Sequence, residues 1–315
     1  MWIWLLACAK DEVSGDSEPT PIEVVDTATY LARCEQVLGP MPVIDCQAAT
    51  EIPITVDGVA VAHSEQLESG GRCDKPSVAG CGWGSRLGVA VNEQGTPWVF
   101  TCRNYDDDPA FDQLNAIAVH PETGETCFLS TNHRDNEFGL GQDLPRPGSD
   151  EDLAWFPDRP HWYTLENLGR ASCVVCHDNG PILVNPWIAQ PGLLPELDHN
   201  RFEVIAQDAL VALNPDEWVL PQPVTHPDAQ ACTQCHAISA GRSCTLALEA
   251  TGRRTGLRGS ATAAGYPQSR WMPHLEQEAL LAAYPTEADW EAAYGLAADT
   301  LEGCCGDSPD AACFE

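Results

Sequence analysis

Cys173-Val174-Val175-Cys176-His177 reads C-x-x-C-H, and Cys232-Thr233-Gln234-Cys235-His236 repeats it. Cysteines three apart on a helical turn lie on one face, so both thiols reach the two vinyl groups of a single porphyrin. The histidine directly after swings under the ring and gives the iron a nitrogen ligand. The spacing therefore predicts two covalently bound haem c groups, tethered by Cys173, Cys176, Cys232 and Cys235, with His177 and His236 on the irons. A thioredoxin-like redox pair needs a βαβ setting, and none precedes either copy. Tetrahedral zinc fits poorly, because about fifty-five residues separate the two pairs and each histidine abuts its cysteine. Plain disulfide bonding is the remaining alternative.

The two copies are not equivalent, because methionine is scarce. The chain has Met1, Met41 and Met272 only. Met272 lies thirty-six residues beyond His236, in Ser269-Arg270-Trp271-Met272-Pro273. A methionine before proline on an irregular loop resembles the sixth-ligand loop of Met/His-ligated cytochromes c. Its thioether is a soft donor that favours ferrous iron and raises the potential. No methionine lies between His177 and His236. The first iron therefore takes a histidine on its other side, with His199 and His226 nearest in sequence and His161 and His274 weaker candidates, or it stays open.

The surrounding residues are similar to a wider group. Cys176-His177-Asp178-Asn179-Gly180-Pro181, followed by Asn185-Pro186-Trp187, looks like the haem segment of secreted multihaem proteins of myxobacteria and their relatives. Thr123-Gly124-Glu125-Thr126-Cys127-Phe128 and Trp271-Met272-Pro273 fit the same group. The resemblance spans residues 30–305 and implies a dihaem c-type cytochrome, though only its haem motifs carry known chemistry. Where a second proline often follows Met-Pro in that group, this chain has His274.

Composition narrows the partners. Over 315 residues the formal net charge is -31. Phosphate backbones and anionic lipid would be repelled, so nucleic acid is excluded as a partner. A redox partner protein with a basic docking surface suits the charge, with salt-sensitive steering. Fifteen cysteines indicate an oxidising compartment. With four on haem and one at an anchor, ten remain for five disulfides. Local pairs such as Cys34–Cys46 and Cys73–Cys81 close short loops cheaply. The Cys304-Cys305 pair takes separate partners, tying the chain end down, with Cys244 the candidate.

Leu5-Leu6-Ala7-Cys8 resembles the lipobox of bacterial lipoproteins, in which the cysteine is acylated. Residues 11–21 are acidic and rich in Ser, Gly and Pro, as a tether is. No other stretch reaches eighteen uninterrupted apolar residues, so membrane contact is expected through a lipid on Cys8 only. These features place the protein in a bacterial cell envelope, as an outer-membrane lipoprotein facing the periplasm or the surface.

Helical spacing covers 27–38 and stops at Gly39-Pro40. β-like runs follow at 52–56, 87–91, 98–103, 115–120 and 126–130, the last two joined by a turn at 121–124. Gly82, Gly84 and Gly88 miss a dinucleotide-binding fingerprint. Asp106-Asp107-Asp108 with Asp112 lacks calcium-loop spacing and reads as an acidic turn. Residues 139–159 are rich in Pro, Gly and Asp, as a linker or a loop over the surface would be. Helical periodicity returns at 275–284 and 287–301.

The expected fold is α+β. A leader and tether over 1–21 precede a small disulfide-stapled, mostly β unit over 22–148. A mainly helical, loop-rich cytochrome c-like dihaem region follows over 149–315. The expected function is electron transfer between haems of unequal potential, favoured over a dihaem peroxidase-like enzyme that uses an open first haem. A haem-based sensor or partner-binding module is the third reading.

Overall fold

Helix α1 (Thr27–Leu38) starts where the Asp26 side chain accepts the Thr29 N–H at 2.7 Å. That satisfies a donor the first helical turn would otherwise leave unpaired. Its buried face is Tyr30, Leu31, Cys34 and Leu38, at helical spacing. It ends at Gly39, whose φ of +78° suits glycine. These are the bounds the periodicity predicts.

The computed structural model describes residues 26–52, 55–56, 59–60, 84–104, 111–131, 144–154, 162–171, 173–175, 177–178, 180–182, 202–215, 218, 220, 222–233, 238–254, 266, 270, 281–306 and 311–314. A six-stranded sheet, β1 (Thr50–Glu51), β4 (Arg86–Val91), β5 (Pro97–Arg103), β6 (Gln113–Val119), β7 (Glu125–Ser130) and β8 (Glu203–Val204), pairs in that order. Every pairing is antiparallel except β7 with β8. The predicted run at 52–56 is shorter in the structure, and a separate strand precedes it. Thr50–Glu51 joins the large sheet, whereas β2 (Thr55–Val56) pairs with β3 (Val59–Ala60) in a separate hairpin.

Strand alternation assigns the two sheet faces. One face presents Trp98, Phe100 and Cys102 from β5, Leu114, Ala116 and Ala118 from β6, and Cys127 and Leu129 from β7, all buried. Gly88 on β4 leaves room for Phe100 opposite it, since an added Cβ would sit 2.3 Å from that ring. This face takes part in the main core with α1, whose Cys34 bonds to Cys127 while Cys46 bonds to Cys102. The expected local pair Cys34–Cys46 is therefore replaced by two long-range bonds. Loop-closure entropy favours short loops, but the fold sets Cys34 and Cys46 beside inward-facing strand positions, at Cα separations of 5.9 and 5.8 Å. Cys73 and Cys81 lie outside the described residues.

The main core draws on both sides of residue 148, from Tyr30 through Phe128 to Trp162, Leu168, Leu210 and Trp218. Residues 144–149 of the Pro- and Gly-rich stretch lie over this body as a loop. Arg146 pairs with Glu35, and the Trp162 indole donates to the Pro145 carbonyl at 2.7 Å. After it come α2 (Asp150–Ala154), α3 (Leu165–Ala171), α4 (Gln207–Leu213), α5 (Gln230–Thr233), α6 (Arg242–Ala250) and α7 (Glu287–Cys304). A second cluster joins Val224, Ala229, Ile238, Cys244, Leu248, Leu301, Cys304 and Cys313. It is stapled by Cys244–Cys305 and Cys304–Cys313. The adjacent cysteines do take separate partners, one of them Cys244.

A capping box opens α7, with Thr286 and Asp289 each bonding the other's backbone N–H. Glu291 on this helix receives Arg253 at 2.6 and 2.8 Å and Arg270 at 2.9 Å, and Arg270 also lies over the Trp290 ring. The bonds from Arg253 and Arg270 hold the Glu291 carboxyl down at about 2, from an ordinary 4.5. Because the folded value is the lower one, Glu291 contributes stability that is complete above pH 4.5 and is lost as pH falls through about 2. Glu291→Gln is expected to lower the melting temperature at neutral pH and to flatten its decline across that window. Thermal melts at stepped pH check this.

Candidate functional site

Helix α3 aims the first C-x-x-C-H segment at the sheet. Gly169 lets α4 approach closely, since a Cβ there would lie 2.9 Å from the Leu213 Cβ. Its carbonyl accepts the buried Trp218 indole at 2.5 Å. The chain then makes a tight turn over Cys173–Val175, anchored by Val174 in the main core. The His177 N–H donates to the Cys173 carbonyl at 2.9 Å, an i to i−4 bond, so these two residues sit one helical turn apart. Cys173 lies half-buried against the core near Tyr30. Burial pushes the Tyr30 phenol well up, and its OH is held by the Phe128 backbone.

His177 packs on the sheet face opposite the α1 face. Its ring centroid is 5.6 Å from that of Phe128, which also meets Phe202 and Trp218 edge-on. Its Nδ1 is enclosed without a hydrogen-bond partner. Burial lowers the ring to about 4; the nearby Pro181 backbone opposes this and the Arg103 charge adds to it. The imidazole is therefore neutral at ordinary pH, the form that binds a metal. A helical turn with a half-buried thiol, followed by a half-buried, neutral imidazole whose Nδ1 is enclosed, fits the residues that would hold a haem there. Ile182, just beyond, packs with Leu87 and Val99 on the same face.

Comparison with protein-family models, with curated proteins and with solved structures finds no match.

Asp178 is the residue the sequence did not flag. It is 1% exposed, and one carboxylate oxygen accepts the Ser243 N–H at 3.0 Å in the first turn of α6. The other oxygen is enclosed without a partner, and burial raises its pKa. Ser239 and Ser243 bond each other beside it. The residue after the first motif thus touches the helix that follows the second. Only an acid directly after C-x-x-C-H hinted at this, and no local pattern names its distant partner.

Of the second motif, Cys232 is described. It lies on α5, half-buried against the disulfide-stapled cluster. Cys176, Cys235, His236, Met272 and Cys8 lie outside the described residues, as do His161, His199, His274 and the segment 1–21. The four disulfides described use no cysteine of either motif. Among the described residues no group of three or more His, Cys, Asp and Glu gathers as a metal site, and no helix is long and apolar enough to cross a membrane.

His226 has a role of its own. Its Nδ1 accepts the Asp228 N–H at 3.1 Å, capping the turn Pro227–Ala229 that leads into α5. An accepting Nδ1 carries no proton, so Nε2 carries it and has no lone pair for iron. Ligation would cost the cap. His226→Asn, which retains a capping side chain, is expected to leave visible spectra unchanged, while His226→Ala costs about 1 kcal/mol. Spectra and denaturant unfolding of both variants check this.

Proposed function

We propose that this chain is an electron-transfer dihaem cytochrome c of a bacterial cell envelope. Two complete C-x-x-C-H copies carry the reading. It is supported by the first copy's helical turn and by the neutral His177 with its enclosed Nδ1. A haem held at each copy supplies one-electron chemistry at its iron.

In this reading Cys173 and Cys176 tether the first haem, and His177 ligates through Nε2. Phe128 covers one side of the histidine ring. Cys232 and Cys235 tether the second, with His236 and Met272 on its two sides. The region after residue 149 carries the cytochrome c-like segments. The charge of -31 suits a redox partner with a basic docking surface. A lipid on Cys8 and the acidic tether behind it would hold the protein at the membrane, consistent with an outer-membrane lipoprotein.

One observation favours a second reading. With His226 engaged as a cap, the first iron has one fewer candidate ligand. A vacant position there would suit a peroxidase-like enzyme, in which the Met-ligated haem feeds an open one.

Visible and EPR spectra of the ferric protein decide between them. Two low-spin haems support the carrier and contradict the peroxidase; a high-spin, peroxide-reactive haem does the reverse. Met272→Ala is expected to lower one haem potential and leave the other nearly unchanged. If neither potential moves in a redox titration, Met272 is not a ligand.

A further inference from the structure

The sheet face that carries His177 changes character along its length. Toward one end it is apolar, with Val99, Ile117 and Phe128 side by side in register. Two residues further along the strands, about 7 Å away, the same face turns polar. Thr101 pairs with Asn115 and Asn115 with Ser130, and two residues further again Arg103 pairs with Gln113. The side chains form a chain of bonds across three strands. Arg103 donates to Gln113 at 3.4 Å, Gln113 to Ser130 at 3.3 Å, and Ser130 to Asn115 at 2.8 Å.

A covered sheet face is ordinarily filled with apolar side chains, so a polar row with buried members calls for a reason. Gln113 and Ser130 are 7% and 6% exposed. The Asn115 amide nitrogen is enclosed, and its two N–H donors find no acceptor. The row ends on a guanidinium in a chain with only 16 Lys and Arg. It is rich in donors, carries one positive charge, and starts next to the ring that packs on His177. Arg103 is also near enough for its charge to act on that imidazole.

We infer that Arg103, Gln113, Asn115 and Ser130 form a carboxylate-binding row that takes the propionate groups of the haem attached at the first motif. The inference rests on the reading that Cys173, Cys176 and His177 carry a haem. Arg103 offers a planar fork that matches a carboxylate, and Asn115 supplies neutral N–H donors beside it. A cation and donors at the propionates offset their negative charge. Ferric haem carries one more positive charge than ferrous haem, so the row disfavours the ferric form and raises the potential of that haem.

The test is a redox titration of the full chain matured in a host that attaches haem c. Arg103→Gln is expected to lower the potential that does not respond to Met272→Ala, with the other unchanged. Arg103→Lys, which keeps the charge, is expected to restore most of it. Asn115→Asp adds a negative charge to the row and is expected to shift the same potential down, which keeps the test open if Arg103→Gln folds poorly. A lower melting temperature with both potentials unmoved makes the row a structural network and overturns the inference. Equal shifts at both haems also overturn it, since a general charge effect then suffices. Protein without covalent haem overturns the underlying haem reading, and that is seen before any variant is made.

Discussion

Replacing Phe128 with alanine is expected to cost about 3–5 kcal/mol of stability. The ring is 2% exposed and lies between His177, Phe202 and Trp218. Truncation removes the apolar contact of three rings and leaves a cavity the sheet cannot close, because the Phe128 backbone is fixed in β7 and by Tyr30. The same change lets water reach the face of His177. Its imidazole pKa, lowered chiefly by burial, should then rise. Denaturant unfolding measures the stability loss. Phe128→Leu, which retains much of the volume, should lose distinctly less. Equal losses for the two would mean that the ring is not packed as described.

The second large effect concerns the disulfides. Cys34–Cys127 spans 93 residues, whereas Cys304–Cys313 spans 9. If the bonds act mainly by restricting the unfolded chain, removing the first costs about 4.5 kcal/mol and removing the second about 2.5. Paired Cys→Ala variants should therefore rank in that order by denaturant midpoint. The first bond also ties α1 to β7, directly beside Phe128, so its loss should loosen the wall behind His177. A larger loss from the C-terminal pair would show that local packing in the second cluster outweighs loop closure.

Much of the fold is legible where the code is local. α1 announces itself through apolar residues at helical spacing, Asp26 before them and Gly39-Pro40 after. The hairpin between β6 and β7 is written in Pro121-Glu122-Thr123-Gly124, where Gly124 takes a φ of +77°. What depends on tertiary register is not legible. Cys34 and Cys46 look like a cheap local pair until α1 is laid across the sheet. β8 is two residues, Glu203–Val204, with no alternation to reveal it, yet it extends the sheet in parallel with β7.

The site divides in the same way. The motif names Cys173 and His177 outright, but it does not say that Phe128 walls the ring or that Asp178 reaches Ser243, sixty-five residues on. Arg103 shows only as a rare cation at the end of a strand. Its alignment with Gln113, Asn115 and Ser130 emerges once three strands are paired.

The central claim is that both C-x-x-C-H copies bind haem covalently. Intact mass measured under denaturing conditions, on protein matured in a host that attaches haem c, tests it most directly. The expected mass exceeds that of the polypeptide by two haems, with one haem lost on replacing Cys173 and Cys176 by alanine and the other on replacing Cys232 and Cys235. A denatured chain that carries no haem would contradict the account.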